Sequence, residues 1–255
     1  MLIDSHAHIT DKKFDYKQII ADMHKDNLSR IIVVGYNYEN SLHGLSIASE
    51  NEKVFCALGL HPSYAAEFCH TKTESFLEIS KDKKVVAIGE IGLDYHYENF
   101  CKKQQATACI AQLELAHRAA LPIIVHMRDC DEDMRKLLKT HKHLLQHGGV
   151  MHCYSGSRES SYEYLDLGFY ISFSGTITFK NSVKATDIIK AIPKDRLLIE
   201  TDCPYLSPEP FRGKLNYPKN VVYVAQKMAD ILGLSLQEVA KLTTDNTHRI
   251  FPKLK

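Results

Sequence analysis

Histidines and acidic residues recur at the ends of short apolar runs along the sequence. The first run reaches His6 and His8, which are two residues apart. Because alternate side chains of a β-strand share one face, these two imidazoles would point the same way and could bind one metal ion. Polar residues of matching parity also end four later runs, in the pairs Glu90 and Asp94, His126 and Arg128, His152 and Tyr154, and Glu200 and Asp202.

A metal centre is the chemistry that this pattern predicts. Burying four imidazoles and two carboxylates around one axis costs too much free energy unless a cation compensates them. Each residue alone has a simpler interpretation, because a single His-x-His pair often arises by chance. Glu90 alone could be an interior acid in a salt bridge, and His152 alone a capping residue. The combination favours metal binding, and no serine lies in a G-x-S-x-G motif that would predict a nucleophilic serine instead.

Eight apolar, β-branched runs alternate with amphipathic segments. The runs predict strands at residues 2–8, 30–36, 54–60, 85–94, 122–128, 149–154, 169–175 and 197–204. The amphipathic segments predict helices at residues 16–26, 38–51, 73–81, 102–119, 131–142, 158–167, 183–191 and 220–232. Strands that alternate with helices form a parallel sheet, because each parallel connection needs a crossover long enough for a helix.

We therefore expect an α/β protein whose eight units close into a (β/α)8 TIM barrel, a fold of about 250 residues. An open, doubly wound sheet is the alternative, but no G-x-G-x-x-G motif follows the first predicted strand. An additional C-terminal helix is expected where Ser235 and Glu238 form an S-x-x-E capping box. Active sites of such barrels lie at the carboxyl ends of the strands, which is where the polar pairs fall.

The composition limits the partners and the location of the protein. Its 255 residues include 32 Lys+Arg and 31 Asp+Glu, a formal net charge of +1. Proteins that coat nucleic acid or an anionic membrane usually carry a marked basic excess, so any phosphate binding here must be local. No segment has the composition of a linker, which predicts a single domain over residues 1–255. An odd number of cysteines, 7, and the lack of a signal peptide or membrane span predict a cytoplasmic protein with reduced thiols, which we expect to be a monomer.

Six segments together make the sequence resemble the TatD family of metal-dependent deoxyribonucleases, within the amidohydrolase-type barrels. They are residues 3–8 (IDSHAH), 58–62 (LGLHP), 89–95 (GEIGLDY), 126–129 (HMRD), 152–156 (HCYSG) and 200–205 (ETDCPY). The later stretch from Arg212 to Asn216 also fits the family pattern. The resemblance covers essentially the whole chain, and no ligand position departs from it.

The resemblance implies two divalent metal ions that share one carboxylate. The implied ligands are His6, His8 and Asp202 for the first ion, His126 and His152 for the second, and Glu90 for both. Asp202 and Glu90 are then the predicted catalytic residues, with Asp202 also acting as general base. The ions are expected to be Mg²⁺, Mn²⁺ or Zn²⁺, since nucleases of the family are commonly described with Mg²⁺ whereas imidazoles favour Zn²⁺, Mn²⁺ or Fe²⁺. Asp4 and Glu200 are expected to orient imidazoles.

Basic and aromatic residues in the loops after the predicted strands indicate what the site binds. The candidates for substrate contact are His61, Arg128, Tyr154, Arg158, Arg212 and Lys214. A small basic rim on a nearly neutral protein suits a few nucleotides at a short or single-stranded DNA end, which predicts an exonuclease. Each of these residues alone could also be an ordinary solvated side chain.

Two other functions stay open at this point. The same metal centre could serve an ester or amide hydrolase of the amidohydrolase type, such as a D-aminoacyl-tRNA deacylase, because water activation by two metal ions serves either reaction. A non-catalytic barrel used only for binding is disfavoured, since every ligand position of the family pattern is intact.

Overall fold

The computed structural model describes residues 1–98 and 100–254, and its centre is one parallel sheet of eight strands. The strands follow one another in chain order: β1 (Leu2–Ala7), β2 (Leu28–Val34), β3 (Val54–Leu58), β4 (Val85–Asp94), β5 (Ile123–Arg128), β6 (Gly149–Met151), β7 (Phe169–Phe173) and β8 (Leu197–Ile199). A parallel bridge between Ala7 and Cys203 joins the first strand to the segment after the last. The His8 N–H also donates to the Cys203 carbonyl at 2.8 Å. These bonds close the sheet into a barrel.

Seven of the helices in the described residues connect consecutive strands, and two more follow β8. They are α1 (Tyr16–Asp22), α2 (Tyr38–Ser49), α3 (His70–Ile79), α4 (Lys102–Ala119), α5 (Asp131–Thr140), α6 (Arg158–Asp166), α7 (Val183–Ala191), α8 (Val221–Leu232) and α9 (Leu236–Ile250). The predicted (β/α)8 TIM barrel is thereby confirmed, and α9 is the additional C-terminal helix, begun by the Ser235–Glu238 capping box. Within residues 1–98 and 100–254, no helix is long and apolar enough to cross a membrane.

Alternate strand residues divide the core into two clusters. Residues of one parity, such as Ile31, pack against the helices. Residues of the other parity, such as Ile32, form an inner cluster together with Phe251 from the C-terminal tail. Lys253 Nζ donates to the Ser80 carbonyl in the loop before β4, so this tail lies at the amino ends of the strands. Apolar packing therefore fills that end, and inward-facing polar residues lie at the carboxyl end.

Strands β6 and β8 end earlier than the sequence predicts. The predicted strands run to residues 154 and 204, whereas β6 ends at Met151 and β8 at Ile199. Beyond these ends the chain turns, because Cys153 and Asp202 adopt left-handed backbone angles with φ of 43° and 55°. The regular alternation of side chains stops at such a turn, so parity does not predict where the following residues point.

Candidate metal centre

The four predicted histidine ligands form two close pairs at the carboxyl end of the barrel. His6 on β1 and His8 directly after it bring their Nε2 atoms to 3.2 Å from each other. His126 on β5 and His152 after β6 bring Nδ1 and Nε2 to 3.3 Å from each other. The rings of His6 and His152 stack with centroids 4.1 Å apart, which places the two pairs side by side.

The Glu90 carboxylate lies between the two pairs. Its Oε1 is 2.7 Å from His126 Nδ1 and 2.8 Å from His152 Nε2. Its Oε2 is 3.5 Å from His6 Nε2 and 3.6 Å from His8 Nε2. Burial opposes the ionisation of Glu90, but the neighbouring imidazoles, led by His152, outweigh burial and hold the pKa of this carboxyl well below its usual range. One ionised carboxylate thus faces both histidine pairs.

Asp202 adds a second carboxylate on the side of the first pair. Its Oδ1 is 3.4 Å from His8 Nε2 and 3.7 Å from His6 Nε2. Burial would raise the pKa of Asp202, but the hydrogen bond from His8 and the neighbouring imidazoles lower the pKa below its ordinary value. The side chain is 13% exposed, against 5% for Glu90, so Asp202 lies nearer the opening of the site.

Hydrogen bonds on the outer side of three rings determine which nitrogen faces inward. His8 Nδ1 is 2.8 Å from the Val34 carbonyl, which can only accept a hydrogen bond. His152 Nδ1 lies 3.2 Å from Glu200 Oε1, and His126 Nε2 lies 3.1 Å from an Asp94 carboxylate oxygen. In a neutral His8 the outer nitrogen therefore carries the proton and the inward nitrogen presents a lone pair. His126 and His152 face carboxylate oxygens with both nitrogens, so a proton or a metal ion can lie between each inward nitrogen and Glu90.

This arrangement fits divalent metal ions. His8 Nε2 presents its lone pair to His6 Nε2 at 3.2 Å, and the inward nitrogens of His126 and His152 meet one Glu90 oxygen at 2.7 and 2.8 Å, so divalent cations could replace the protons among these groups. The ligand atoms of His6, His8 and Glu90 all lie within 4.8 Å of one another, as do those of His6, His152 and Asp202. Imidazole nitrogens with carboxylate oxygens are a donor set that suits Zn²⁺ or Mn²⁺.

The two acids expected to orient imidazoles behave differently. Glu200 accepts from His152 Nδ1 and also from the Cys153 N–H at 2.8 Å, as its predicted role requires. Asp4 instead accepts from the Thr201 N–H at 2.9 Å and the Thr201 hydroxyl at 2.5 Å. The expected role of Asp4 is therefore corrected: it joins β1 to the segment after β8. Burial raises the pKa of Asp4 to about 8.

Asp94 is a functional residue that the sequence analysis did not assign to the site. It ends β4 and accepts from His126 Nε2, which orients that ring. Gln105 of α4 holds the backbone of Asp94 on both sides, with its Oε1 accepting from the N–H at 2.9 Å and its Nε2 donating to the carbonyl at 2.8 Å. The signal in the sequence was the shared parity of Glu90 and Asp94 on one predicted strand.

His61 lies beside the metal centre, whereas Tyr154 does not reach it. His61 Nε2 is 3.7 Å from Glu90 Oε1, and burial lowers the pKa of His61 to about 3. Tyr154 is buried in the core, where its hydroxyl donates to the Ser157 carbonyl at 2.7 Å. The expectation that Tyr154 contacts substrate is therefore corrected. It rested on the position of Tyr154 among the aromatic residues of the loops after the predicted strands, whereas the structure turns this ring into the core.

The four basic candidates are exposed and lie outside the cluster of ligands. The Arg128 guanidinium lies 5.7 Å from the centroid of the Tyr97 ring, and Arg212 lies 4.3 Å from that of Phe179. Arg158 forms a 3.9 Å ion pair with its neighbour Glu159, and the Lys214 side chain is exposed. In the described parts of the chain, no hydrogen bond or ion pair ties these four side chains to the six candidate ligands.

The fold and the donor set define a class of protein: a (β/α)8 barrel that can hold divalent ions between imidazoles and carboxylates at the carboxyl ends of its strands. The family model described as TatD related DNase matches residues 3–252. The chain therefore belongs to the TatD family, and the resemblance that the sequence motifs indicate is confirmed.

Individual proteins agree with this assignment. The chain is 40% identical over 253 residues to the uncharacterized metal-dependent hydrolase YabD of Bacillus subtilis, covering 98% of this chain and 99% of that protein. It is 28% identical over 257 residues to the 3'-5' ssDNA/RNA exonuclease TatD of Klebsiella pneumoniae, covering 98% and 97%. The crystal structure of YjjV, a TatD homolog from Escherichia coli, matches with a TM-score of 0.92 at 30% identity and covers 98% of both chains.

Proposed function

We propose that this TatD-family metal-dependent hydrolase cleaves phosphodiester bonds of DNA from short or single-stranded ends, with two divalent ions at the candidate metal centre. The observation that carries this proposal is the position of Glu90, whose two oxygens face two separate pairs of inward nitrogens. A carboxylate can bind two cations at once, which a neutral imidazole cannot. All six proposed ligands come from one chain, which supports a monomer as the active form.

The residues of the chain have distinct proposed roles. Two divalent ions, when bound, would lower the pKa of a water molecule and neutralise charge that develops on the reacting phosphate. Glu90 would supply negative charge to both halves of the centre through its two oxygens. Asp202 is the proposed general base. Its carboxylate is ionised, lies beside the pair formed by His6 and His8, and is more exposed than that of Glu90.

The basic rim supports a nucleic-acid substrate of limited length. We assign phosphate binding to Arg128, Arg158, Arg212 and Lys214, which are exposed. So few cations on a chain of net charge +1 suit a few nucleotides better than a long duplex. The Klebsiella pneumoniae relative is described as a 3'-5' exonuclease of single-stranded DNA and RNA, which supports digestion from an end.

Digestion of end-labelled oligonucleotides tests this proposal. The purified protein should contain divalent metal, shorten single-stranded DNA stepwise and lose both properties after treatment with a chelator. Glu90→Gln keeps the size of the side chain but removes its charge, so it should lower metal content and reduce the rate of cleavage by at least about 10²-fold. Glu50→Gln, an exposed residue at the end of α2, is the matched control and should change neither.

Three outcomes would contradict the proposal. Internal cuts without stepwise shortening would exclude an exonuclease. Full activity of Glu90→Gln would exclude the shared carboxylate. Hydrolysis of D-aminoacyl esters without cleavage of any oligonucleotide would favour the ester hydrolase instead.

A further inference from the structure

His61, a candidate substrate contact, lies beside the metal centre and has no role yet in the proposed mechanism. The residue precedes the short 3-10 helix Pro62–Glu67, at the end of the segment that follows β3. Its ring lies edge-on against His126, with centroids 4.3 Å apart. Its Nε2 is 3.7 Å from Glu90 Oε1, on the side of the carboxylate that faces His126 and His152.

The backbone around His61 fixes its position. The His61 N–H donates to the Tyr36 carbonyl at 2.9 Å, and the His61 carbonyl accepts from the Tyr64 N–H at 2.8 Å. The preceding residue, Leu60, is held by Gln112 of α4, which accepts from its N–H at 2.7 Å and donates to its carbonyl at 3.1 Å. The imidazole is therefore held beside the site by contacts from neighbouring elements.

The Ser63 backbone sets the tautomer of the ring. The Ser63 N–H donates to His61 Nδ1 at 3.1 Å. A backbone N–H can only donate, so Nδ1 must accept with its lone pair, and the proton of the neutral ring lies on Nε2. His8, His126 and His152 differ, because their outer nitrogens face acceptors, so the protons can stay there while the inward nitrogens give lone pairs to a metal ion.

This difference separates two roles for His61. Its Nε2 lies close enough to Glu90 and His126 to belong to a third group of metal ligands. Ligation would need the Nε2 lone pair, so the proton would have to move to Nδ1 and the bond from Ser63 would be lost. Nε2 has no hydrogen-bond partner in residues 1–98 and 100–254, since its 3.7 Å separation from Glu90 is too long. The side chain is 15% exposed, so an oxygen atom of a substrate can reach it.

We propose that His61 is a catalytic hydrogen-bond donor and not a metal ligand: its Nε2–H binds a non-bridging oxygen of the scissile phosphate on the His126 and His152 side of the centre. The donor would stabilise the negative charge that grows on that oxygen in the transition state, and its fixed orientation means that little reorganisation is needed. Only the identity of the oxygen as a phosphate oxygen rests on the proposed function. The tautomer and the absence of metal ligation follow from the contacts of His61 itself.

Three measurements on His61→Ala, His61→Gln and the exposed control His147→Ala test the proposal. Metal content after loading with Mn²⁺ should equal the wild-type value in all three variants. The value of kcat for oligonucleotide cleavage should fall about 10²-fold in His61→Ala, with a smaller change in KM, and should recover at least about tenfold in His61→Gln, whose amide can still donate. Long-range ¹H–¹⁵N spectra of the Zn²⁺-loaded protein should show Nε2 protonated in the histidine whose signal His61→Gln removes.

Loss of bound metal in either His61 variant, or a proton found on Nδ1, would overturn the proposal in favour of a ligand. Equal activity of His61→Ala and wild type would overturn the catalytic role. If wild type cleaves no oligonucleotide, the proposed function fails instead, and the metal content and the tautomer still decide whether His61 is a donor.

Discussion

Protons and metal ions compete for the same nitrogens in this centre. The inward nitrogens of His126 and His152 lie within 3 Å of Glu90, so a ring that has no metal ion beside it can compensate the carboxylate by taking up a proton. Burial lowers the pKa of each ring, but the acids outweigh it. Charge on Glu90 and Glu200 raises the pKa of His152 well above 6.5, and the hydrogen bonds that His126 donates to Asp94 and Glu90 raise the pKa of His126. Metal binding must displace these protons.

Metal affinity should therefore rise with pH and continue to rise above the ordinary titration range of histidine. The raised pKa values favour the protonated rings, so each bound ion should release more protons to the buffer than it would from ordinary imidazoles. Calorimetric titration with Mn²⁺ in buffers of different ionisation enthalpy measures both quantities. Between about pH 6 and pH 8 the affinity should increase, and the number of protons released should fall as the rings lose them beforehand. An affinity that does not change over this range would contradict the prediction.

Helix α4 (Lys102–Ala119) packs against the barrel wall and holds two segments of the site, one at Leu60 after β3 and one at Asp94 at the end of β4. Gln105 and Gln112 lie two turns apart on its inner face and are 3% and 1% exposed. Each amide binds the N–H and the carbonyl of one residue, Asp94 for Gln105 and Leu60 for Gln112. One helix thereby holds the backbone next to His61 and the acid that orients His126.

Replacement of Gln112 by leucine should destabilise the protein despite the similar size of the two side chains. It leaves the N–H and the carbonyl of Leu60 buried without their partner, at a cost of about 1–3 kcal/mol for each group. Gln104→Leu changes an exposed glutamine of the same helix and should shift the free energy of unfolding by no more than about 0.5 kcal/mol. Urea denaturation with chelator present compares the two variants without a contribution from metal binding. Equal stability of both variants would show that the Leu60 contacts contribute nothing.

Elements with strong local signals are predictable from the sequence, and their ends are less so. Helix α4 and helix α7 match their predicted bounds. Strands β6 and β8 are only three residues long, because the chain turns at Cys153 and Asp202. These turns were not predicted, since left-handed backbone angles are uncommon at residues other than glycine. For this reason the alternation of side chains along the predicted strand gave the correct position for His152 and the wrong one for Tyr154.

The ligand positions were predictable because metal binding needs particular residue types at strand ends. The residues that orient the ligands were harder to find, since their contacts join distant parts of the chain. Glu200 and His152 are separated by 48 positions, and Asp94 and His126 by 32. Asp4 shows that a shared strand does not predict a shared contact. It lies on the same strand as His6, yet its carboxylate accepts hydrogen bonds from Thr201.

At the scale of the whole molecule, the basic residues are divided between the two ends of the barrel. Arg128 ends β5, and Arg212 and Lys214 follow β8, so all three belong to the end that carries the candidate metal centre. Lys194 and Arg196 precede β8 and lie at the other end. Since the net charge is only +1, binding of a polyanion should depend on which end its phosphates contact more than on the total charge.

The salt dependence of oligonucleotide cleavage tests this division of charge. Removal of two phosphate contacts in the double variant Arg212→Gln/Lys214→Gln should raise KM and should make the slope of log(kcat/KM) against log[salt] shallower by about 1.4, since each contact with a single strand contributes about 0.7. The matched variant Lys194→Gln/Arg196→Gln loses the same charge at the other end of the barrel and should keep the wild-type slope. Steady-state kinetics at several salt concentrations measure the slope for each double variant and for the wild type. Equal changes in both double variants would show that total charge, and not a local rim, governs binding.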